Sequence, residues 1–143
     1  MHVAEHYALA CGAQLSAPHI PLDFYPVPHE KYICLVTQSD ILSKKYDFYN
    51  EVVDLLIPYL ADVKIVQIGA PDDPELPNTI NYRGLTRKQN NYIISKSLAV
   101  AGNDFYYTHA AAVLNKPLIT LFGPLYKEIS RPFWGDKGEH YCI

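Results

Sequence analysis

Asp104 and His109 stand five residues apart in the stretch GNDFYYTHAAAVLNKPLITLFGP, residues 102–124. The acid follows a short apolar run, and the His is followed at once by Ala110, Ala111 and Ala112. An acid between a strand end and a helix start can cap the free amides of the helix. The same helix start presents unpaired N–H groups and a partial positive charge, and so suits phosphate. His109, in the first turns, would then donate to a phosphate or orient a leaving group. The stretch alone leaves both readings open, and the alanine run reads as close helix packing.

Other chemistry-bearing groups are sparser. His2 and His6 have the i,i+4 spacing of a metal pair on a helix, but two ligands are too few for a site, and an exposed face is the plainer reading. His140 with Cys142 is equally weak. There is no Asp-x-Asp: Asp72 and Asp73 are adjacent, and Asp40 and Asp47 stand alone. Cys11, Cys34 and Cys142 are odd in number and widely spaced, which fits a reducing compartment and a cytoplasmic protein rather than a disulfide framework. Arg83, Arg87 and Lys88 form only a local basic cluster. With a net charge of −3 the chain is not a nucleic-acid binder by composition. No apolar run is long enough to span a membrane, and no signal peptide is visible.

The elements that must position Asp104 and His109 follow from periodicity. Residues 1–15 read as a short helix stopped by Gly12, with Val3, Tyr7, Ala10 and Cys11 at helical spacing. Residues 16–30 are a Pro-rich connector. The runs 31–38, 63–69, 79–84, 98–102 and 116–123 read as strands, the first a continuous β-rich run and the second a buried strand, as in a sheet covered on both faces. Between them lie helices: one over 45–60 with Phe48, Val52, Leu55, Leu56 and Tyr59 on its inner face, one over 87–97 turning Tyr92, Ile93 and Ile94 inward, and one over 106–115. Pro58 marks the end of the first, and Thr86 with Gln89 forms a capping box for the second. The remainder is expected to be a short helix and an irregular tail. Alternating strands and helices imply an α/β fold with a doubly wound, Rossmann-like parallel sheet of about five strands. Such sheets bind ligands beyond the carboxyl ends of their strands, here Thr37-Gln38, Gly69-Ala70, Gly102-Asn103-Asp104 and Gly123-Pro124.

The stretch 102–124 resembles the signature of the heptosyltransferase-like glycosyltransferases, family 9. Their donor-domain motif reads D-T-G-x-x-H-x-A-A, then a small loop, a Pro, a β-run and F-G-P. Asp104, His109, Ala111-Ala112, Pro117 and Phe122-Gly123-Pro124 keep that spacing. The segments VTQSDILSKKYDFYNEVVDLL and NYRGLTRKQNNYIISKSLAVAG are similar to the strands and helices before it, so the likeness runs from about residue 31 to about residue 126.

The resemblance implies a fold and a site. The fold would be the C-terminal half of a GT-B enzyme, with residues 1–15 a helix left from a preceding acceptor domain, 16–30 the linker and 31–143 the nucleotide-sugar-binding domain. Asp104 and His109 would sit at the donor diphosphate, with Thr37 and Gln38 touching phosphate. Lys44, two before Tyr46, would neutralise charge, with Lys45 a second choice. Asp73 would meet the ribose and Leu85 the base. Where the family has Thr-Gly this chain has Phe105-Tyr106, whose rings offer stacking on a base or sugar. The implied donor is a nucleotide-diphosphate sugar, the implied acceptor a saccharide held by the other domain, which also supplies the catalytic base, and no metal cofactor is expected. The alternative is a non-catalytic interaction module that kept the sheet.

Overall fold

Apolar runs without polar alternation become the central strands, because both faces of the sheet are covered. The computed structural model describes residues 1–143, the Lys137 side chain apart. Its strands are β1 (Tyr32–Val36), β2 (Lys64–Ile68), β3 (Ile80–Asn81), β4 (Val100–Asn103), β5 (Leu118–Leu121) and β6 (His140–Cys142). All pair in parallel, in the order β3-β2-β1-β4-β5-β6. The sheet therefore has six strands where the sequence suggests about five. The sixth comes from the tail, where three residues, His-Tyr-Cys, are too short to show a period. It is fixed by non-local bonds, Ile143 N to Thr120 O at 3.0 Å and Phe122 N to Ile143 O at 2.8 Å.

The chain moves outward from β1 through β2 to β3, then returns to place β4 on the other side of β1. The reversal opens a crevice between the carboxyl ends of β1 and β4, where open α/β sheets bind ligands.

Side-chain alternation along β1 sorts the core into two layers. Tyr32, Cys34 and Val36 face one side, with Ile93 and Ile94 of α3 (Arg87–Lys96) and Ala111 and Ala112 of α4 (Tyr106–Val113). Leu35 faces the other, with Tyr49 and Val53 of α2 (Tyr49–Leu56). The small alanines let α4 lie close against the sheet, as their run implies. Helix α2 is shorter than expected and turned by one position. Its buried residues are Tyr49 and Val53, while Phe48, Leu55 and Tyr59 are exposed. Asn50, Glu51 and Asp54 mark a polar side, but the apolar arc opposite is wide, so periodicity did not choose which of its residues bury deepest. The choice falls to Tyr49, whose hydroxyl finds partners at the sheet edge. Pro58 lies in a 3₁₀ turn, Ile57–Tyr59, that ends the helix.

Helix α1 (Val3–Cys11) ends at Gly12 in the left-handed conformation and buries none of its residues. The connector has no regular structure. It is pinned along α3 by Asp23 N to Lys88 O (3.2 Å) and by Asn91 Nδ2 to Pro21 O (3.2 Å), with Tyr25 and Val27 against the core. A four-residue α5 (Lys127–Ser130) precedes β6. No helix among the described residues is long and apolar enough to cross a membrane.

Candidate functional site

Asn103 closes β4, fully buried, and fastens the crevice. Its Nδ2 donates to Thr37 O (2.9 Å), and its Oδ1 accepts from the Tyr49 hydroxyl (2.8 Å). One amide thus ties together the ends of β1 and β4 and the start of α2. The next residue, Asp104, is held by its N–H to Leu121 O (3.0 Å), which aims the carboxylate out of the sheet edge.

That carboxylate is 4% exposed and takes two partners. Lys44 Nζ donates to Oδ2 at 2.8 Å, and His109 Nε2 lies 3.2 Å from Oδ1. Burial alone would raise the Asp104 pKa, but the His109 and Lys44 hydrogen bonds and charges outweigh it and hold the carboxyl below its usual range. Asp104 is anionic at neutral pH and does not cap α4. The helix begins at Tyr106, and its first turn is closed by Thr108, whose hydroxyl donates to Phe105 O (2.7 Å).

Lys44 arrives on a 3₁₀ turn, Leu42–Lys44. The turn rests on Gly123, where a Cβ would stand 2.5 Å from Ser43 O and 3.2 Å from Lys44 Cα. Any larger residue there would push the turn away. Lys45, by contrast, lines a different pocket and does not reach Asp104.

An open pocket of about 340 Å³ lies in front of α4, lined by Asp40, Lys44, Arg87, Asp104, Phe105, Tyr106 and His109. The structure therefore gathers five of the expected site residues. Phe105 and Tyr106 form a wall and leave the pocket open. The Tyr106 hydroxyl accepts from Asn91 Nδ2 (3.1 Å), and the Tyr107 hydroxyl from Asn90 Nδ2 (2.8 Å), which draws both rings toward α3. Arg87 and Asp40 were missed as site residues. A signal for Arg87 existed: it opens α3 with Lys88, at a helix end where positive charge is disfavoured.

The other expected residues lie outside this pocket. Thr37 and Asp73 meet each other (3.1 Å) and line a second, smaller pocket of about 140 Å³ with Lys45 and Tyr46. Asp73 Oδ2 also accepts from Ala70 N (2.9 Å), so this carboxylate shapes its own loop. Gly69 makes room for the pair, since a Cβ would lie 2.5 Å from both oxygens. Gln38 and Leu85 line neither pocket. The Gln38 carbonyl accepts from Asn103 Nδ2 at 3.5 Å, while Leu85 packs its side chain on the core and offers its carbonyl to Asn90 Nδ2 (3.4 Å).

A larger cavity, about 560 Å³, lies at the opposite, amino end of the strands, lined by Phe24, Tyr25, Tyr32, Tyr92 and Lys96 among others. Size does not make it the better site: it lies away from the switch point, and its charged lining residues, Glu30 and Lys96, form no ion pair among the described residues. Among the described residues no three His, Cys, Asp or Glu side chains cluster to hold a metal. His2 accepts from Ala4 N at Nδ1 (3.1 Å), which caps α1 and leaves Nε2 to donate to Arg131 O (2.6 Å), so both ring nitrogens are engaged within the fold.

No protein-family model and no curated protein matches the chain. Solved structures do. E. coli ADP-heptose lps heptosyltransferase II superposes with a TM-score of 0.68 at 22% identity, over 82% of this chain and 39% of that one. The chain shares its fold with heptosyltransferases. E. coli heptosyltransferase WaaC with ADP gives 0.67 at 16% identity, over 97% of this chain and 48% of its own. A glycosyl transferase family 9 protein from Veillonella parvula gives 0.65 at 15%, over 98% of this chain and 39% of its own. This chain thus spans less than half the length of these heptosyltransferase-fold proteins. The six-stranded parallel sheet with flanking helices corresponds to one Rossmann-like half of such a molecule.

Proposed function

We propose that the pocket in front of α4 binds the diphosphate of a nucleotide-diphosphate sugar, as the donor site of a heptosyltransferase-like glycosyltransferase. The observation that carries this reading is the Lys44–Asp104–His109 constellation, opening on the first turn of α4 at the sheet's switch point. Asp104 is the counterion that holds Lys44 and His109 in place. Lys44, the His109 ring and the α4 amides then face the charge that grows on a departing diphosphate when the bond from the sugar's anomeric carbon to the β-phosphate oxygen breaks. WaaC, solved with ADP and with ADP-2-deoxy-2-fluoro heptose, makes an adenine diphosphate sugar the first donor to test. Transfer to a saccharide also needs a base for the acceptor hydroxyl. In this reading the base belongs to an acceptor-side domain of the complete enzyme.

Calorimetric titration of ADP, UDP and their sugars into the folded chain tests the assignment. Saturable binding of one nucleoside diphosphate is expected, weakened by about tenfold or more in Asp104→Ala, equivalent to about 1.4 kcal/mol. A folded protein that binds none of them, or an Asp104→Ala variant with unchanged affinity, contradicts it.

A further inference from the structure

The pocket holds one cation that its own acids do not engage. Lys44 and His109 both lie against Asp104. Arg87 does not: among the described residues its guanidinium makes no ion pair and no hydrogen bond. Its near neighbour Arg83 shows the contrast, being committed to Glu75 (3.0 Å), Asn81 (2.9 Å) and the Asp73 carbonyl.

Arg87 is nevertheless placed. Its guanidinium carbon lies 4.5 Å over the centre of the Tyr106 ring, within cation–π range. That ring is anchored at its far end by the buried Asn91, and the neighbouring Tyr107 by the buried Asn90. Two buried amides on α3 therefore hold a two-tyrosine shelf at the start of α4, and the shelf carries the arginine at the pocket wall. The position is locally unfavourable, because Arg87 is the first residue of α3 and no acid in the first turn compensates it. A cation kept against the helix dipole, stacked on an aromatic face and left with its donors open, is suited to a bidentate phosphate contact.

We infer that Arg87, carried on Tyr106, is a specificity-determining residue that grips the terminal phosphate of a nucleoside diphosphate. This rests on the donor-site reading above and assigns the Phe105-Tyr106 pair a purpose. In a Thr-Gly loop the backbone can come close to the phosphates. Here the Tyr106 ring, drawn toward α3, walls that space and carries the Arg87 guanidinium instead.

The test compares ADP with AMP on the wild-type chain and on Arg87→Ala, Arg87→Lys and Lys88→Ala. Arg87 is exposed, so these variants should fold, and circular dichroism checks it. Arg87→Ala should weaken ADP by about tenfold or more while AMP changes by less than about threefold. Arg87→Lys should recover part of the loss, since it keeps the charge but not the fork. Lys88→Ala, which removes one charge from the neighbouring position outside the pocket lining, should match wild type. The inference is overturned if Arg87→Ala behaves like Lys88→Ala, or if ADP and AMP weaken equally. Should UDP be the diphosphate bound, UDP and UMP replace ADP and AMP in the comparison, and wild-type protein that binds neither ADP nor UDP would overturn this inference and the donor-site reading together. Binding that depends on Asp104 but not on Arg87 would overturn this inference alone.

Discussion

Asp104 is shared by a lysine and a histidine from separate elements, so its charge state is tied to folding. Its folded pKa lies below the ordinary 3.8. The carboxylate therefore contributes stability that is fully present above the unfolded value and is lost as pH falls below it, through the folded value. Asp104→Asn removes that contribution and leaves Lys44, 13% exposed, without its anion. The expected loss is about 3 kcal/mol near neutral pH and smaller at an acidic pH below the ordinary carboxylate value, shrinking as wild-type Asp104 itself takes up a proton. Urea unfolding at the two pH values measures the gap. A gap of the same size at both would show that packing, not charge, is what Asp104 supplies. Asp104 and His109 were legible in the sequence because their spacing is local, five residues across one strand-to-helix turn. Lys44 stood there beside Lys45, and which of the two reaches the acid depends on a turn whose direction no local pattern encodes. Arg87 showed only as a cation at an unfavourable helix start, and its role was not legible, because its place over Tyr106 arises only when α3 and α4 pack side by side.

The elements differ in how much of their geometry is intrinsic. Helix α3 begins where Thr86 and Gln89 form both bonds of a capping box, and the central strands are rich in β-branched and other apolar residues, so each could be placed from sequence. Helix α2 could not be oriented, because Tyr49 is selected by a bond to Asn103 that lies 54 residues away. The 3₁₀ turn that delivers Lys44 is likewise set from outside, by the bare surface of Gly123. Gly123→Ala should therefore do two things. It should destabilise the fold by roughly 1–3 kcal/mol through overpacking. It should also shift the turn and loosen the Lys44–Asp104 pair, lowering the affinity for a nucleoside diphosphate. Chemical unfolding and ADP titration of this variant check the two effects separately. An alanine variant with wild-type stability and affinity would mean that the turn does not need the contact.

At the scale of the molecule, topology decides where chemistry can gather. The strand order reverses between β1 and β4, so the chain segments after them diverge and leave Asp104 and Asn103 at the mouth of a crevice. Two helices, α3 and α4, start at that same edge on one face of the sheet and bring Arg87 and His109 to the pocket. The alternation of strands and helices made this architecture readable in advance. The sixth strand was not readable, being three residues defined only by their pairing to β5. A larger cavity lies under Phe24, Tyr25 and Tyr92 at the amino end, so the two ends of the sheet make competing predictions about where a ligand would sit. Backbone amide mapping by NMR during titration with ADP distinguishes them directly. The account predicts saturable shifts concentrated on residues 104–109, Lys44 and Arg87. An unchanged spectrum at saturating ADP and, in a second titration, at saturating UDP, or shifts confined to the cavity between Phe24 and Lys96, would contradict it.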